Sequence, residues 1–259
     1  MLQIEKYAYC NPLRGVHPGE KFLFAVATMM TCLALNSLSV SGIVLFLMAG
    51  VTVWKGSIPL FFYIKLLSIP LFFLMAGTIT VAINVVHNPD HALWSWQYAN
   101  LSFGITMESL LACAKLFLRS IATVSCLYFL SLTTPLVEII SILRKLKIPE
   151  LFLELMSLIY RYLFVLLEMA ERIYSSQSAR QGYSSIKNSY RSMGLLASSL
   201  LIRSHQRSLN LYMALEARGY NGTIKVLEQR YQLSKRNLLL IAITELSLIL
   251  VDYLNGGSL

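Results

Sequence analysis

The run from Phe61 to Val86 carries a single charged residue, Lys65, near its start. A helix needs about 20 mostly apolar residues to cross a bilayer, because in hydrocarbon every backbone N–H and C=O must find its partner within the segment itself. This run meets that requirement, and so does Leu110 to Leu132, with Lys115 and Arg119 inside it. Phe22 to Leu35 and Val40 to Val53 are shorter and are joined by Asn36 to Ser39. They read as two helices, either a short hairpin or two spans with ragged ends. Asn237 to Leu254 follows the basic pair Lys235 and Arg236 and makes a fifth span, weakened by Glu245 and Asp252. With 56% apolar and 14% charged residues, the chain cannot hide its apolar surface in one water-soluble core. The expected class is an all-α integral membrane protein of about five transmembrane helices.

Charge locates the remainder. Lys and Arg total 22 against 13 Asp and Glu, a net +9. Residues 135–236 hold 15 basic and 7 acidic side chains, and 15 − 7 = +8 of that total. Short cytoplasmic loops collect Lys and Arg. With the N-terminus inside, Lys6, Arg14, Lys21 and Lys55 fall inside, whereas His87 to Thr106, which has no Lys or Arg, falls outside. The basic segment is then inside and the C-terminus outside. Three regions follow: 1–133 with about four membrane helices, 134–236 as a cytoplasmic helical module between the fourth and fifth spans, and 237–259 as the last span. Cys10, Cys32, Cys113 and Cys126 lack metal-binding spacing and read as packing residues. No apolar run precedes Cys10, so no secretory signal is expected.

The inserted segment is helical in pattern. Thr134 and Pro135 start an amphipathic helix whose apolar face, Leu136, Ile139, Ile140 and Leu143, ends at Arg144, Lys145 and Lys147. After Pro149 a longer helix runs from Glu150 to about Arg180, with Glu154, Arg161 and Glu168 on a stripe facing solvent or a partner. A third runs from about Arg191 to Arg218. Both long helices end alike, in Ala179-Arg180-Gln181-Gly182-Tyr183 and Ala217-Arg218-Gly219-Tyr220. Gly is the usual helix-ending residue, and ordinary capping, with Arg at the negative end of the dipole, accounts for either copy alone. Two copies point to a paired function, because Arg is a forked, permanently charged donor suited to a partner's groove. In the first copy Gln181 stands where the second has Gly219, so Gly182 would supply the stop one residue later.

At these residues the chain resembles the T, or transmembrane coupling, components of energy-coupling-factor transporters, most of all the cobalt-type CbiQ proteins. The stretches LIRSHQRSLNLYMALEARGYNG, LTTPLVEIISILRKLKIPELFLELMSLIYRYLFVLLEMAERI and NPLRGVHPGEKF carry the resemblance. It implies that Ala179, Arg180 and Gln181, with Ala217, Arg218 and Gly219, dock into two cytoplasmic ABC ATPase subunits. It also implies a substrate-binding membrane S component, CbiM-like, as a further partner. ATP and Mg would sit on the ATPases, with no cofactor, catalytic residue or metal ligand on this chain, and the setting would be the inner membrane of the cell. Apolar residues such as Leu155, Leu158, Leu195 and Leu196 would let the coupling helices slide on one another. Nickel or a vitamin is an alternative cargo for the same kind of component.

Other constellations are weaker. His87-Asn88-Pro89-Asp90-His91 has metal-binding residue types, but Pro89 forbids a helical pair and loop histidines are commonly solvated. Asn221-Gly222-Thr223 reads as a turn without a phosphate loop around it. Arg119 or Lys115 lies at a depth matching Asp252 and is expected either to pair with it or to snorkel outward. A membrane enzyme would need catalytic clusters that are missing, and an independent channel or carrier would need more mid-membrane polar residues than Lys115, Arg119 and Glu245. The basic segment fits anionic lipid, whereas nucleic acid is not an expected partner beside five spans.

Overall fold

The computed structural model describes residues 3–35, 37–82, 84–85, 92–98, 101–220 and 231–254. Its helices are α1 (Gln3–Cys10), α2 (Pro18–Ala34), α3 (Leu38–Gly50), α4 (Leu60–Ala82), α5 (Met107–Thr133), α6 (Leu136–Lys145), α7 (Glu150–Ala179), α8 (Ile186–Glu216) and α9 (Lys235–Leu254). The chain divides into two compact units, a smaller one of residues 136–229 and a larger one of residues 2–135 with 230–259.

In the larger unit α5 is the hub. Its start is fixed by a capping box: Thr106 Oγ1 accepts the Ser109 N–H at 3.2 Å, and Ser109 Oγ accepts the Thr106 N–H at 3.1 Å. α1, α2, α3 and α4 all pack on α5, and α9 packs on α2 and α3. The core joins Ala25 and Cys32 of α2, Val40, Val44 and Met48 of α3, Ala122, Cys126 and Phe129 of α5, and Leu248 of α9. Phe24 meets Phe129 edge to face at 5.6 Å. A second cluster of Ile58, Tyr63 and Leu132 is backed by Tyr7 and Phe62, whose rings lie 4.7 Å apart.

Four segments among the described residues are long and apolar enough to cross a membrane: Leu38–Lys55, Leu60–Val81, Ser109–Thr133 and Lys235–Leu254. The first extends α3 through a π-helical turn, Val51–Lys55. α2 has 17 residues. At 1.5 Å per residue it spans about 26 Å, the short end of the range for a crossing helix. Phe61, Phe72 and Phe73 of α4 are 80%, 80% and 79% exposed. Aromatic surface of that extent belongs against lipid or another membrane subunit rather than water. The chain is a multi-pass membrane protein of all-α class.

Between α4 and α5 the expected loop contains a small antiparallel sheet, β1 (Asn84–Val85), β2 (Ala92–Tyr98) and β3 (Leu101–Thr106), in the order β1-β3-β2. Its source is the alternation of Trp94, Trp96 and Tyr98 with Ser95 and Gln97, a period of two within an otherwise helical chain.

The smaller unit holds α6, α7 and α8. α6 buries Ile140 and Ile142 and ends at Arg144 and Lys145, where cations suit the helix dipole. α6 begins at Leu136, since Thr134 and Pro135 lie outside it. α7 and α8, of 30 and 31 residues, are each about 45 Å long at helical rise. α8 starts at Ile186 rather than near Arg191, because Ser185 caps it by accepting the Asn188 N–H at 3.2 Å. Two further expectations change. Leu155 and Leu195, expected between the two helices, are 46% and 56% exposed. Glu154, expected with Glu168 on a stripe facing solvent or a partner, is buried within the chain, whereas Glu168 is exposed and pairs with Arg172 at 2.6 Å.

Candidate functional site

The last turns of α7 and α8 close with the same hydrogen bonds. At the end of α7 the Gly182 N–H donates to the Gln177 carbonyl at 2.9 Å and the Gln181 N–H to the Ser178 carbonyl at 3.0 Å. At the end of α8 the Tyr220 N–H donates to the Leu215 carbonyl and the Gly219 N–H to the Glu216 carbonyl, both at 3.0 Å. Each is a Schellman closure, in which the residue after the cap turns left-handed. That residue is Gln181 in one tip, with φ 60°, and Gly219 in the other, with φ 72°. The stop therefore falls at Gln181 itself and not one residue later at Gly182. Residue for residue, Ala179-Arg180-Gln181 matches Ala217-Arg218-Gly219, and both arginines occupy the same place in the closure. Both are exposed.

A left-handed backbone costs a residue with a Cβ about 1–2 kcal/mol. Surrounding bonds hold Gln181 there. Ser192 Oγ donates to the Gly182 carbonyl at 2.8 Å, Gln177 Nε2 to the Ser192 carbonyl at 3.1 Å, and Tyr183 Oη to Gln177 Oε1 at 2.8 Å. The Tyr174 and Tyr183 rings pack at 4.7 Å. The first turns of α8 thus brace the α7 tip, and Gly182 is needed for close approach rather than for a left-handed φ.

The second tip is braced differently. Tyr220 Oη donates to Glu154 Oε2 at 2.9 Å, joining the end of α8 to the beginning of α7. The carboxylate bond, with burial second, raises the Tyr220 phenol above its ordinary value. Glu154 lies 180 − 154 = 26 residues before Arg180 on the same helix. That separation is about 39 Å at helical rise, so the two arginine tips stand at opposite ends of α7. Sequence spacing gives no sign of the Tyr220–Glu154 bond, because its partners are far apart in the chain and Tyr220 belongs to the Gly-Tyr pair already assigned to capping.

Within the membrane unit Asp252 is buried, and its Oδ1 has no hydrogen-bond partner. No ion pair between Asp252 and Lys115 or Arg119 is formed among the described residues. Glu245, which made α9 a weaker span in the sequence, accepts the Thr28 hydroxyl at Oε1 and the Thr31 hydroxyl at Oε2, each at 2.9 Å. Two donors one helical turn apart on α2 thus stand in for the water that a carboxyl loses in a bilayer. His87, Asn88, Pro89, Asp90 and His91, and likewise Asn221, Gly222 and Thr223, lie outside the described residues.

A family model described as "Cobalt transport protein" (CbiQ) matches residues 11–229. Cobalt transport protein CbiQ of Salmonella typhimurium strain LT2 is 31% identical over 222 residues, covering 86% of this chain and 98% of that protein. A putative fused cobalt transport protein, CbiMQ, of Methanocorpusculum labreanum is 33% identical over 231 residues, 87% of this chain and 38% of that longer protein. The energy-coupling factor transporter transmembrane protein EcfT of Lactococcus lactis subsp. cremoris is 26% identical over 259 residues, 92% of each.

Proposed function

The chain belongs to the CbiQ family of cobalt transport proteins, the membrane components of transporters, and on that premise we propose that it is the transmembrane coupling subunit of an energy-coupling-factor importer for cobalt ion. Its role is non-catalytic. Two cytoplasmic ABC ATPases bind and hydrolyse ATP with Mg on their own residues, one engaging the Arg180 tip and the other the Arg218 tip. A substrate-binding membrane subunit supplies cargo selection, and the fused relative named CbiMQ supports such a neighbour. Residues 134–236 form the cytoplasmic module, the stretch from residue 87 to 106 faces outward, and the setting is the inner membrane.

The observation that carries this reading is the pair of identical helix closures, each presenting an exposed Arg after a small Ala, at opposite ends of a helix about 45 Å long. A single capping Arg needs no partner. Two in the same closure, far enough apart to meet two bodies at once, fit a scaffold that spans a pair of ATPases. Charge-assisted hydrogen bonds are roughly twice as strong as neutral ones, and removing one side of a buried charged contact costs about 2–5 kcal/mol.

The test is the Arg180→Glu, Arg218→Glu double variant in the reconstituted complex. ATPase copurification and ATP-dependent cobalt uptake are expected to be lost while the membrane unit stays folded. Arg→Lys at either tip is milder, since the charge remains and the fork is lost. Near-normal capture and uptake in the double variant refute the proposal.

A further inference from the structure

α2 opens on the His17-Pro18-Gly19-Glu20-Lys21 segment, which neither helix tip uses. His17 caps the helix, its Nδ1 accepting the Gly19 N–H at 2.9 Å, and Pro18 takes the first turn. The next two residues carry opposite charges, and Glu20 and Lys21 are 2% and 4% exposed. Ions so deeply buried are strongly penalised unless something of opposite potential meets them.

Each meets a helix terminus. Glu20 Oε1 accepts the Ser234 N–H at 2.6 Å, and Oε2 accepts Asn237 Nδ2 at 2.7 Å. The Ser234 carbonyl accepts the N–H groups of Asn237 and Leu238, so Ser234 is the capping residue just before α9. The carboxylate thus sits at the positive end of the α9 dipole. Lys21 Nζ donates to the carbonyl of Thr133, the last residue of α5, at 3.0 Å. There the final carbonyls of the helix lack intrahelical donors and the potential is negative. Asn11 Nδ2 adds a bond of 3.4 Å to the Leu132 carbonyl.

These two termini are where the chain leaves the membrane unit and where it returns, since residues 136–229 form the other unit. One turn of α2 therefore holds both roots of the inserted helices, the outgoing one by a cation and the incoming one by an anion. An apolar pair at 20 and 21 would satisfy neither root.

We propose that Glu20 and Lys21 are positioning residues that form the transmission joint of this protein. Displacement of the inserted helices, passing along either root, is delivered to α2 and through it to the core shared with α3, α5 and α9. This inference rests on the coupling role proposed above. Cutting either bond leaves the tips free to dock and the ATPases free to turn over, but disconnects their motion from the spans.

The test uses the complex reconstituted with its ATPases, with nitroxide labels at positions 30 and 72, both exposed on the membrane unit. In the unaltered chain, ATP should change the distance between the labels. Lys21→Met and Glu20→Gln should shrink that change at least about fivefold, the low end of typical coupling between sites, while ATPase capture and hydrolysis stay as they were. Lys21→Arg keeps a charged donor and should restore the response. Should the unaltered chain capture no ATPase, the coupling role falls and this inference with it. If capture is intact but the unaltered bundle ignores ATP, or the Met and Gln variants respond as fully as the unaltered chain, the joint alone is refuted. A Lys21→Arg chain no better than Lys21→Met also refutes it, because loss of packing rather than of the charged bond would then be the cause.

Discussion

Gly182→Ala should open the first helix tip without touching the second. A Cβ at 182 would lie 2.7 Å from Ser192 Oγ, 2.8 Å from the Gln177 carbonyl oxygen and 3.3 Å from its carbon. The Ser192 hydroxyl can turn away, but only by giving up its 2.8 Å bond to the Gly182 carbonyl. The Gln177 carbonyl cannot yield as easily, because it accepts the Gly182 N–H that closes the tip. Overpacking of this kind costs about 1–3 kcal/mol, and each hydrogen bond lost adds about 0.5–1.5 kcal/mol. A total of about 2–4 kcal/mol corresponds to a factor of roughly 30 to several hundred in the opening equilibrium. Amide hydrogen exchange, read by mass spectrometry on peptides covering residues 178–183, reports that equilibrium directly. Exchange there should quicken by at least about thirtyfold, with residues 215–220 unchanged. Unaltered exchange at 178–183 would refute the close-approach account of Gly182.

The two left-handed positions predict opposite outcomes. Gln181→Gly removes about 1–2 kcal/mol of backbone strain against about 0.4–1 kcal/mol of added unfolded-state entropy, so exchange at the first tip should slow slightly or stay level and ATPase capture should persist. Gly219→Ala meets no atom within 4 Å but imposes φ 72° on a residue with a Cβ, and should loosen only the second tip, by about 1–2 kcal/mol. Faster exchange in Gln181→Gly would contradict both statements. The Tyr220 phenol should ionise at higher pH than it does in Glu154→Gln, followed by carbon NMR of labelled tyrosine. Because its folded value is raised, the bond stabilises the fold fully below the unfolded value of about 10 and fades as pH rises through the folded one. Equal midpoints in the two chains would dissociate Tyr220 from Glu154.

Much of the helical plan was legible because it depends on local pattern. Long apolar runs with one or two charges became α4, α5 and α9, and the doubled Ala-Arg sequence marked two helix ends that closed alike. Gln181 was the point where residue identity misled. Gly prefers the left-handed position, so the stop was expected at Gly182, yet the bracing bonds from Ser192 and Gln177 put Gln181 there instead. The β-strands between α4 and α5 are marked only by a period of two across Trp94, Trp96 and Tyr98, a signal that a lack of Lys and Arg does not carry. α8 begins at Ile186 because Ser185, one of several serines in a polar stretch, supplies the cap.

The partners of the buried charges were not legible, and the reason is physical. A sequence shows that Glu245 and Asp252 lie within an apolar run, or that Glu20 and Lys21 are adjacent, but the cost of each depends on which helix comes to face it. Thr28 and Thr31 have the spacing of neighbours on one helix face, three residues apart, yet nothing local says that this face meets Glu245 more than two hundred residues later. Matching by depth suggested Arg119 or Lys115 for Asp252, with outward snorkelling as the alternative, and equal depth fixes only the height of two groups and not their angle around the bundle. The partners of Glu20 and Lys21 named above lie at two helix termini rather than at matching depth in the bundle. They are the start of α9, through the Ser234 N–H and the Asn237 side-chain amide, and the end of α5, through the Thr133 carbonyl; the two backbone groups are ones every helix carries regardless of sequence. The adjacent, opposite charges in the first turn of α2 are the trace this joint leaves in the sequence.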